Sequence, residues 1–183
     1  TRYVGELTVS RGDDGGWGVD AYTLHELDDT IPGDPDVISM VDGFIAALDA
    51  GPLADLGTSF SEPVFSIPGD IGVNLCEESP LGNFVTDAFR YTLNQYAPVD
   101  PIVATFESQG VIRDDFLAGT TGLEAFSDVF RVMPLGVGSD DVPGYGLVSF
   151  YVTPRDLKST CEILGSIVPI EGCDYWVEPS GLR

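Results

Sequence analysis

Arg113 is the residue of this sequence whose type and position best fit ligand binding. It follows an apolar run at 102–106, which predicts a buried strand, and a loop that contains Gly110. Open α/β sheets bind ligands at the ends of such strands, and a guanidinium can contact two oxygens of a phosphate or carboxylate at once. The alternative is that Arg113 pairs with the adjacent Asp114 or Asp115. Residue chemistry alone favours this alternative.

A second place that could accept a ligand is the segment P-L-G-V-G at 134–138. It follows a predicted strand at 129–135. Glycine at a strand exit lets another group approach the backbone closely, although a simple turn explains the same residues. The sequence therefore predicts two candidate contact regions, both in loops after strands.

The residues needed for common catalytic or metal sites are largely missing. His25 is the single histidine, and it falls in a predicted hairpin, so neither a serine–histidine–aspartate arrangement nor a metal site built on several histidines is expected. No glycine-rich phosphate-binding motif occurs. The adjacent aspartate pairs lie beside turn residues, where they are usually solvated, and their spacing does not form a calcium loop. We predict no catalytic residue and no metal ligand in this chain.

Composition excludes several classes of partner. The chain has 183 residues, with 30 acidic side chains against 8 basic ones and a formal charge of -22. Such a surface repels nucleic acid polymers and anionic membranes, both of which require positive charge. Hydrophobic residues make up 43% of the chain, enough for a buried core. No apolar run approaches the roughly 18 residues of a membrane span.

Three cysteines are present, and no C-x-x-C pair occurs. Cys161 and Cys173 flank a predicted turn, so a disulfide between them is possible. Cys76 lies in an apolar run, where we expect an unpaired, buried and unreactive thiol.

The element pattern predicts an α/β (α+β) protein with a mixed sheet flanked by helices. Residues 1–30 form a terminal β-hairpin, 31–58 contain an amphipathic linker helix that opens at Pro35, and 59–183 form a second domain. Within that domain, apolar runs predict strands at 64–67, 102–106, 129–135, 146–152 and 175–177. Caps and apolar spacing predict helices at 79–96, 123–129 and 154–164.

Four ordered segments resemble motifs of the C-terminal domain of the 5'-nucleotidase family. L-G-N-F-V-T-D-A at 81–88 is similar to its L-G-N-x-x-x-D-A helix start, and 105–113 to its N-x-G-G-I-R loop. D-V-F-R-V-M-P-L-G at 128–136 is similar to D-V-x-x-V-x-P-F-G, and 175–183 to F-L-Q-V-S-G-L-R. The similarity covers about 60–183. Residues 1–50 resemble the last hairpin of the family's metallophosphatase domain and the linker helix.

The resemblance implies that this chain is a fragment of a larger, periplasmic or secreted hydrolase. An N-terminal metallophosphatase domain outside the chain would hold two divalent metal ions and activate water. The present domain would bind the nucleoside part of a nucleotide or another small phosphoester. The residues that the resemblance places in this pocket, with Arg113 contacting the anion, are Ser108, Gly110, Arg113, Leu135 and Gly136.

Four positions depart from the family pattern. Ser108 replaces an asparagine, Val111 the second loop glycine, and Glu77 an arginine. Leu135 stands where the family has an aromatic residue that stacks on the base, and such stacking contributes about 1–3 kcal/mol per base. The alternative function is therefore a non-catalytic binding or structural module with a degenerate nucleotide pocket.

Overall fold

A computed structural model describes residues 2–28, 30–96, 99–138 and 144–182. The chain divides into two compact units, residues 1–47 and 48–183. Each unit is described by itself.

The first unit contains a long antiparallel hairpin. Strand β1 (Arg2–Arg11) pairs with β2 (Trp17–Leu27), as the alternating pattern predicts. The chain reverses at Gly15, whose φ of 79° lies in the left-handed region that glycine adopts without strain. Helix α1 (Pro35–Ala50) begins in this unit. Asp34 caps it, because its side chain accepts from the backbone N–H of Asp36 at 2.9 Å.

One face of the hairpin is apolar and exposed. The register places Leu7 opposite Tyr22 and Val9 opposite Val19, so these side chains share a face. Each of the large apolar side chains on this face is exposed: Tyr3, Leu7, Val9, Trp17, Val19, Tyr22 and Leu24.

The second unit alternates short strands with helices, which confirms the predicted class. Its two small sheets are antiparallel, β3 with β5 and β4 with β6. Its elements are α2 (Pro52–Leu56), β3 (Pro63–Ser66), α3 (Pro80–Gln95), β4 (Thr105–Ser108), β5 (Leu123–Ala125), α4 (Phe126–Val132), α5 (Pro154–Glu171) and β6 (Val177–Ser180).

Helix α3 is the central element of this unit. Ser79 caps it by accepting from the Gly82 N–H at 3.1 Å, and Pro80 occupies the first turn, as the sequence predicts. Its buried face carries Leu81 and Val85 into the core. The buried core residues are Ile67, Leu81, Val85, Ile112, Phe116 and Val132.

Several predicted elements differ from the structure. The helix expected at 123–129 is displaced, because residues 123–125 form β5 and the helix begins at Phe126. The strands expected at 102–106 and 175–177 lie later in the chain, as β4 and β6.

The strand expected at 129–135 is wrong, because residues 126–132 form α4. The Asp128 side chain closes the first turn of that helix by accepting from Ala125 N–H at 2.9 Å. Residues 146–152 form no strand in the described part of the chain, since they meet no ladder partner there. Helix α5 extends beyond the predicted end at residue 164 to Glu171.

Candidate ligand-binding site

A cavity of about 290 Å³ opens beside Arg113, at the end of strand β4. Strand β4 ends at Ser108 and passes into a 3-10 turn, Gln109–Val111, which delivers Arg113 to the cavity. The wall combines apolar side chains with one guanidinium and several carboxylates. Its lining residues are Val73, Leu75, Gln109, Ile112, Arg113, Asp114, Asp115 and Asp174.

The Arg113 side chain is exposed and forms no ion pair with any residue that the structure describes. Asp114 pairs with Arg131 instead, with 2.6 Å between Oδ2 and Nη1. The Asp115 carboxylate accepts from the backbone N–H of Val73 at 3.2 Å. The alternative of an Arg113 pair with either neighbouring aspartate is therefore not formed within the described residues.

Arg131 is the positively charged ion-pair partner of Asp114. Partial burial alone would lower the pKa of Arg131, but the hydrogen bond to Asp114 and the charges of Asp114 and Asp128 together raise it. The second ion pair, to Asp128, spans 3.5 Å. Within the described residues, this arrangement leaves the guanidinium of Arg113 without an ion-pair partner.

Ser108 and Gly110 are not among the residues that line this cavity. The Ser108 hydroxyl donates to the backbone carbonyl of Asp174. A β-carbon added at Gly110 would lie 2.8 Å from Cβ of Asp174, closer than real contacts allow. Gly110 is therefore required where the 3-10 turn and the Asp174 backbone pack together.

Leu135 and Gly136 follow helix α4 and are not among the residues that line the Arg113 cavity. Besides the Asp114–Arg131 pair, a backbone hydrogen bond from Arg113 N–H to the Val132 carbonyl, at 2.8 Å, connects the two regions. Gly136 has φ of 56°, and an added β-carbon would lie 2.9 Å from the Tyr145 ring. The assignment of these two residues to a ligand pocket stays a prediction.

Sequence reasoning missed the buried residue that organises the cavity, Gln109. It is 3% exposed. Its Oε1 accepts from Cys76 N–H at 3.0 Å, and its Nε2 lies 2.8 Å from the Asn74 carbonyl and 2.7 Å from that of Glu77. The side chain of Gln109 thus holds the loop at 74–78. Nothing local in the sequence marks a glutamine as buried.

A second missed residue, Glu178, lies fully buried beneath this loop. Its Oε1 accepts from the Ser79 hydroxyl at 2.8 Å and from Gln109 Nε2 at 2.7 Å. The carboxylate therefore joins β6 to the start of α3 and to the turn after β4. Such a buried polar group is tolerated because it is hydrogen-bonded.

The predicted cysteine chemistry is wrong. Cys76 is not an unpaired thiol but forms a disulfide with Cys173, with Cα atoms 4.8 Å apart. Cys161 is free and exposed. Helix α5 continues to Glu171, and a rise of about 1.5 Å per residue carries Cys161 roughly 15 Å from that end, too far for a disulfide with Cys173.

Within the described residues, no group of three or more histidine, cysteine, aspartate or glutamate side chains is arranged to hold a metal ion. None of the helices in the described residues has both the length and the apolar content that a membrane span requires.

The fold of this chain is similar to part of a solved 5'-nucleotidase structure. The chain is similar to the crystal structure of a 5'-nucleotidase precursor from Thermus thermophilus, with a TM-score of 0.55 and 17% identity. The similarity covers 99% of this chain and 32% of that one, so the chain spans about a third of that protein's length. No protein-family model and no curated protein matches the sequence. The resemblance seen in the sequence motifs is confirmed at the level of the fold.

Proposed function

We propose that this chain is the substrate-recognition part of a 5'-nucleotidase-like metallophosphoesterase. In this proposal it binds the nucleoside part of a nucleotide while another domain, carrying two divalent metal ions, hydrolyses the phosphate ester. The observation that carries the proposal is the exposed Arg113 guanidinium, which has no ion-pair partner in the described residues and faces a cavity at a strand end.

The charge of the chain supports a ligand role for Arg113. With 30 acidic residues against 8 basic ones, a guanidinium has many possible carboxylate partners. Asp114, its nearest neighbour in sequence, is paired with Arg131. A guanidinium beside a cavity can bind a phosphate oxygen pair with charge-assisted hydrogen bonds.

We extend the proposal to the domain organisation. Residues 1–30 are the last hairpin of the metallophosphatase domain, 31–58 the interdomain linker, and 59–183 the recognition domain. The exposed apolar face of the hairpin supports this assignment, because a two-stranded hairpin is marginal alone and contiguous apolar patches mark interaction surfaces. The Cys76–Cys173 disulfide supports a secreted or periplasmic location, since such bonds persist in oxidising compartments.

A second candidate function is a non-catalytic binding or structural module of the same fold. Two observations favour it. Leu135 offers no aromatic face and does not line the Arg113 cavity. Glu77 is exposed on the loop beside the cavity and adds a charge that repels phosphate.

Calorimetric titration of the 183-residue chain with AMP tests the recognition role. We expect Arg113→Ala to weaken AMP binding about tenfold or more, the value of one or more charge-assisted hydrogen bonds. Arg155→Ala is the matched control, because Arg155 is also an exposed arginine of the second unit but lies on α5, outside the cavity. Equal affinities of both variants, or no AMP binding at all, would contradict the proposal.

Phosphate release tests the hydrolytic role in the polypeptide that includes the proposed upstream domain. The substrates are AMP, UMP, a UDP-sugar, a cyclic nucleotide and p-nitrophenyl phosphate, each with added divalent metal. Preference for nucleotides that is lost on Arg113→Ala supports the enzyme. Activity on p-nitrophenyl phosphate alone means that this domain has lost nucleoside recognition. Inactivity with every metal favours the binding module.

A further inference from the structure

The disulfide joins two sides of the Arg113 cavity. Leu75 and Asp174 both line the cavity, and each is the direct chain neighbour of a bonded cysteine, Cys76 or Cys173. These cysteines are 97 residues apart in sequence. A covalent bond therefore links two loops that bring cavity residues from distant parts of the chain.

Cys76 adopts a backbone conformation that needs restraint. Its φ of 58° makes it the one non-glycine residue with positive φ in the described part of the chain. A residue with a β-carbon is unfavourable there and persists only when its surroundings hold it. Two restraints act on Cys76: the disulfide, and the bond from its N–H to Gln109 Oε1 at 3.0 Å.

The Asp174 side and the Leu75 side of the cavity differ in the hydrogen bonds that would remain without the disulfide. On the Asp174 side, the 3-10 turn Cys173–Tyr175 and the residue after it are bonded to the end of β4. The Ser108 hydroxyl donates to the Asp174 carbonyl, and Gln109 N–H donates to the Trp176 carbonyl at 2.8 Å. On the Leu75 side, the carboxamide of Gln109, which follows β4, makes the hydrogen bonds to the loop at 74–78. Leu75 itself is 73% exposed. We expect loss of the disulfide to release the loop at 74–78 first, because this loop contains Cys76, whose positive φ needs restraint.

We propose that the Cys76–Cys173 disulfide positions the loop at 74–78 against the Arg113 cavity, so that ligand affinity depends on the oxidation state of this bond. The predicted effect on ligand affinity rests on the proposed function of the cavity.

In the reductive step, a small dithiol cleaves the S–S bond. The two electrons and two protons that it gives up form the thiols of Cys76 and Cys173, and the dithiol becomes a disulfide. Both cysteines are half-buried and so partly accessible to the reductant.

Hydrogen exchange on the Cys161→Ser chain, oxidised or treated with dithiothreitol, tests the positioning without any ligand. This background removes the free thiol, which lies outside the disulfide. We expect amide exchange in residues 74–78 to accelerate about tenfold or more on reduction. Helix α3 (Pro80–Gln95) reports on global unfolding, and its amides should remain protected in the reduced chain while those at 74–78 approach unprotected rates.

AMP titration of the same two samples tests the consequence, and we expect reduction to weaken binding about tenfold. Unchanged exchange at 74–78 would overturn the positioning role whatever AMP does. Loss of protection in α3 to the same level as in the loop would also overturn it, because reduction would then unfold the whole unit and not release this loop. If the loop loosens and AMP affinity is unchanged, the link to ligand binding is wrong. If AMP binds neither sample, the proposed function fails while exchange still decides the positioning role.

Discussion

Gly82, in the first turn of helix α3, lies directly against the buried side chain of Glu178 in strand β6. A β-carbon added at Gly82 would overlap Cγ and Cδ of Glu178 and lie 2.7 Å from its Oε1. Glu178 cannot move aside freely, because Ser79 and Gln109 both donate to its carboxylate. The glycine of the L-G-N segment is therefore needed so that the helix can begin next to a buried carboxylate.

We predict that Gly82→Ala destabilises the second unit by about 1–3 kcal/mol, as an overpacked core site does. Urea denaturation followed by circular dichroism measures the free energy of unfolding. Gly165→Ala is the matched control on helix α5, since a β-carbon there meets nothing within 4 Å. The control should gain up to about 1 kcal/mol from helix propensity. Equal stability of both variants would show that the Glu178 side chain adapts.

The burial of Glu124, on strand β5, should make the free energy of unfolding depend on pH. The residue is 1% exposed, and its Oε1 has no hydrogen-bond partner among the described residues. Burial raises the pKa of Glu124, and the negative charge of Asp128 raises it further. The folded state therefore binds this proton more tightly than the unfolded state does. The stability that this proton contributes is present below the unfolded pKa and is lost as pH rises through the raised one.

We accordingly expect Glu124→Gln to stabilise the protein at pH 7 by on the order of 1 kcal/mol, and the gain to vanish near pH 4. Urea unfolding at both pH values provides the measurement. Glu62→Gln serves as control, because Glu62 is an exposed glutamate of the same unit. A larger gain at pH 4 than at pH 7 would have the wrong sign for this explanation.

The two arginines beside the cavity should separate stability from binding. Arg131→Ala removes the ion pairs to Asp114 and Asp128 and should cost about 1–2 kcal/mol. Arg113→Ala removes an exposed guanidinium and should change stability by less than about 0.5 kcal/mol. Thermal unfolding of the two variants side by side provides the comparison. A larger loss for Arg113→Ala would reveal a structural role that its exposed position does not indicate.

Removal of the disulfide should lower global stability as well. Cross-linking residues 97 apart restricts the unfolded chain, and loss of such a bond typically costs about 2–5 kcal/mol. We expect the double variant Cys76→Ser/Cys173→Ser to show this loss in urea unfolding. Cys161→Ser should leave the midpoint unchanged, because Cys161 is free and exposed. Similar midpoints for the double variant and the unaltered chain would contradict the expectation.

Local chemistry made several elements predictable. Ser79 and Pro80 define the start of α3 because a cap and a first-turn proline act within a few residues. The hairpin follows from alternation around a glycine-rich turn. The helix at 126–132 could not be predicted in this way, because its β-branched and aromatic residues favour a strand. The Asp128 hydrogen bond at its first turn and the burial of Val132 stabilise the helix instead.

The candidate site was only partly readable from the sequence. Arg113, Ser108 and Gly110 come from one loop, so motif spacing identifies them together. Asp174 and Leu75 line the same cavity although they lie far apart in the sequence, and no local sequence pattern predicts that they do. The pairing of Asp114 with Arg131, which leaves Arg113 without an ion-pair partner among the described residues, likewise depends on the packing of α4.

By itself, the sequence determined the acidic character of the chain, its α/β class, the caps of its helices and the loop that carries Arg113. These properties depend on composition or on residues a few positions apart. Only the tertiary structure decided that Cys76 bonds to Cys173, that Gln109 and Glu178 are buried partners, and that Gly82 must lack a side chain. Those outcomes depend on which surfaces meet when the chain folds. A pairing across 97 residues leaves no trace in local spacing.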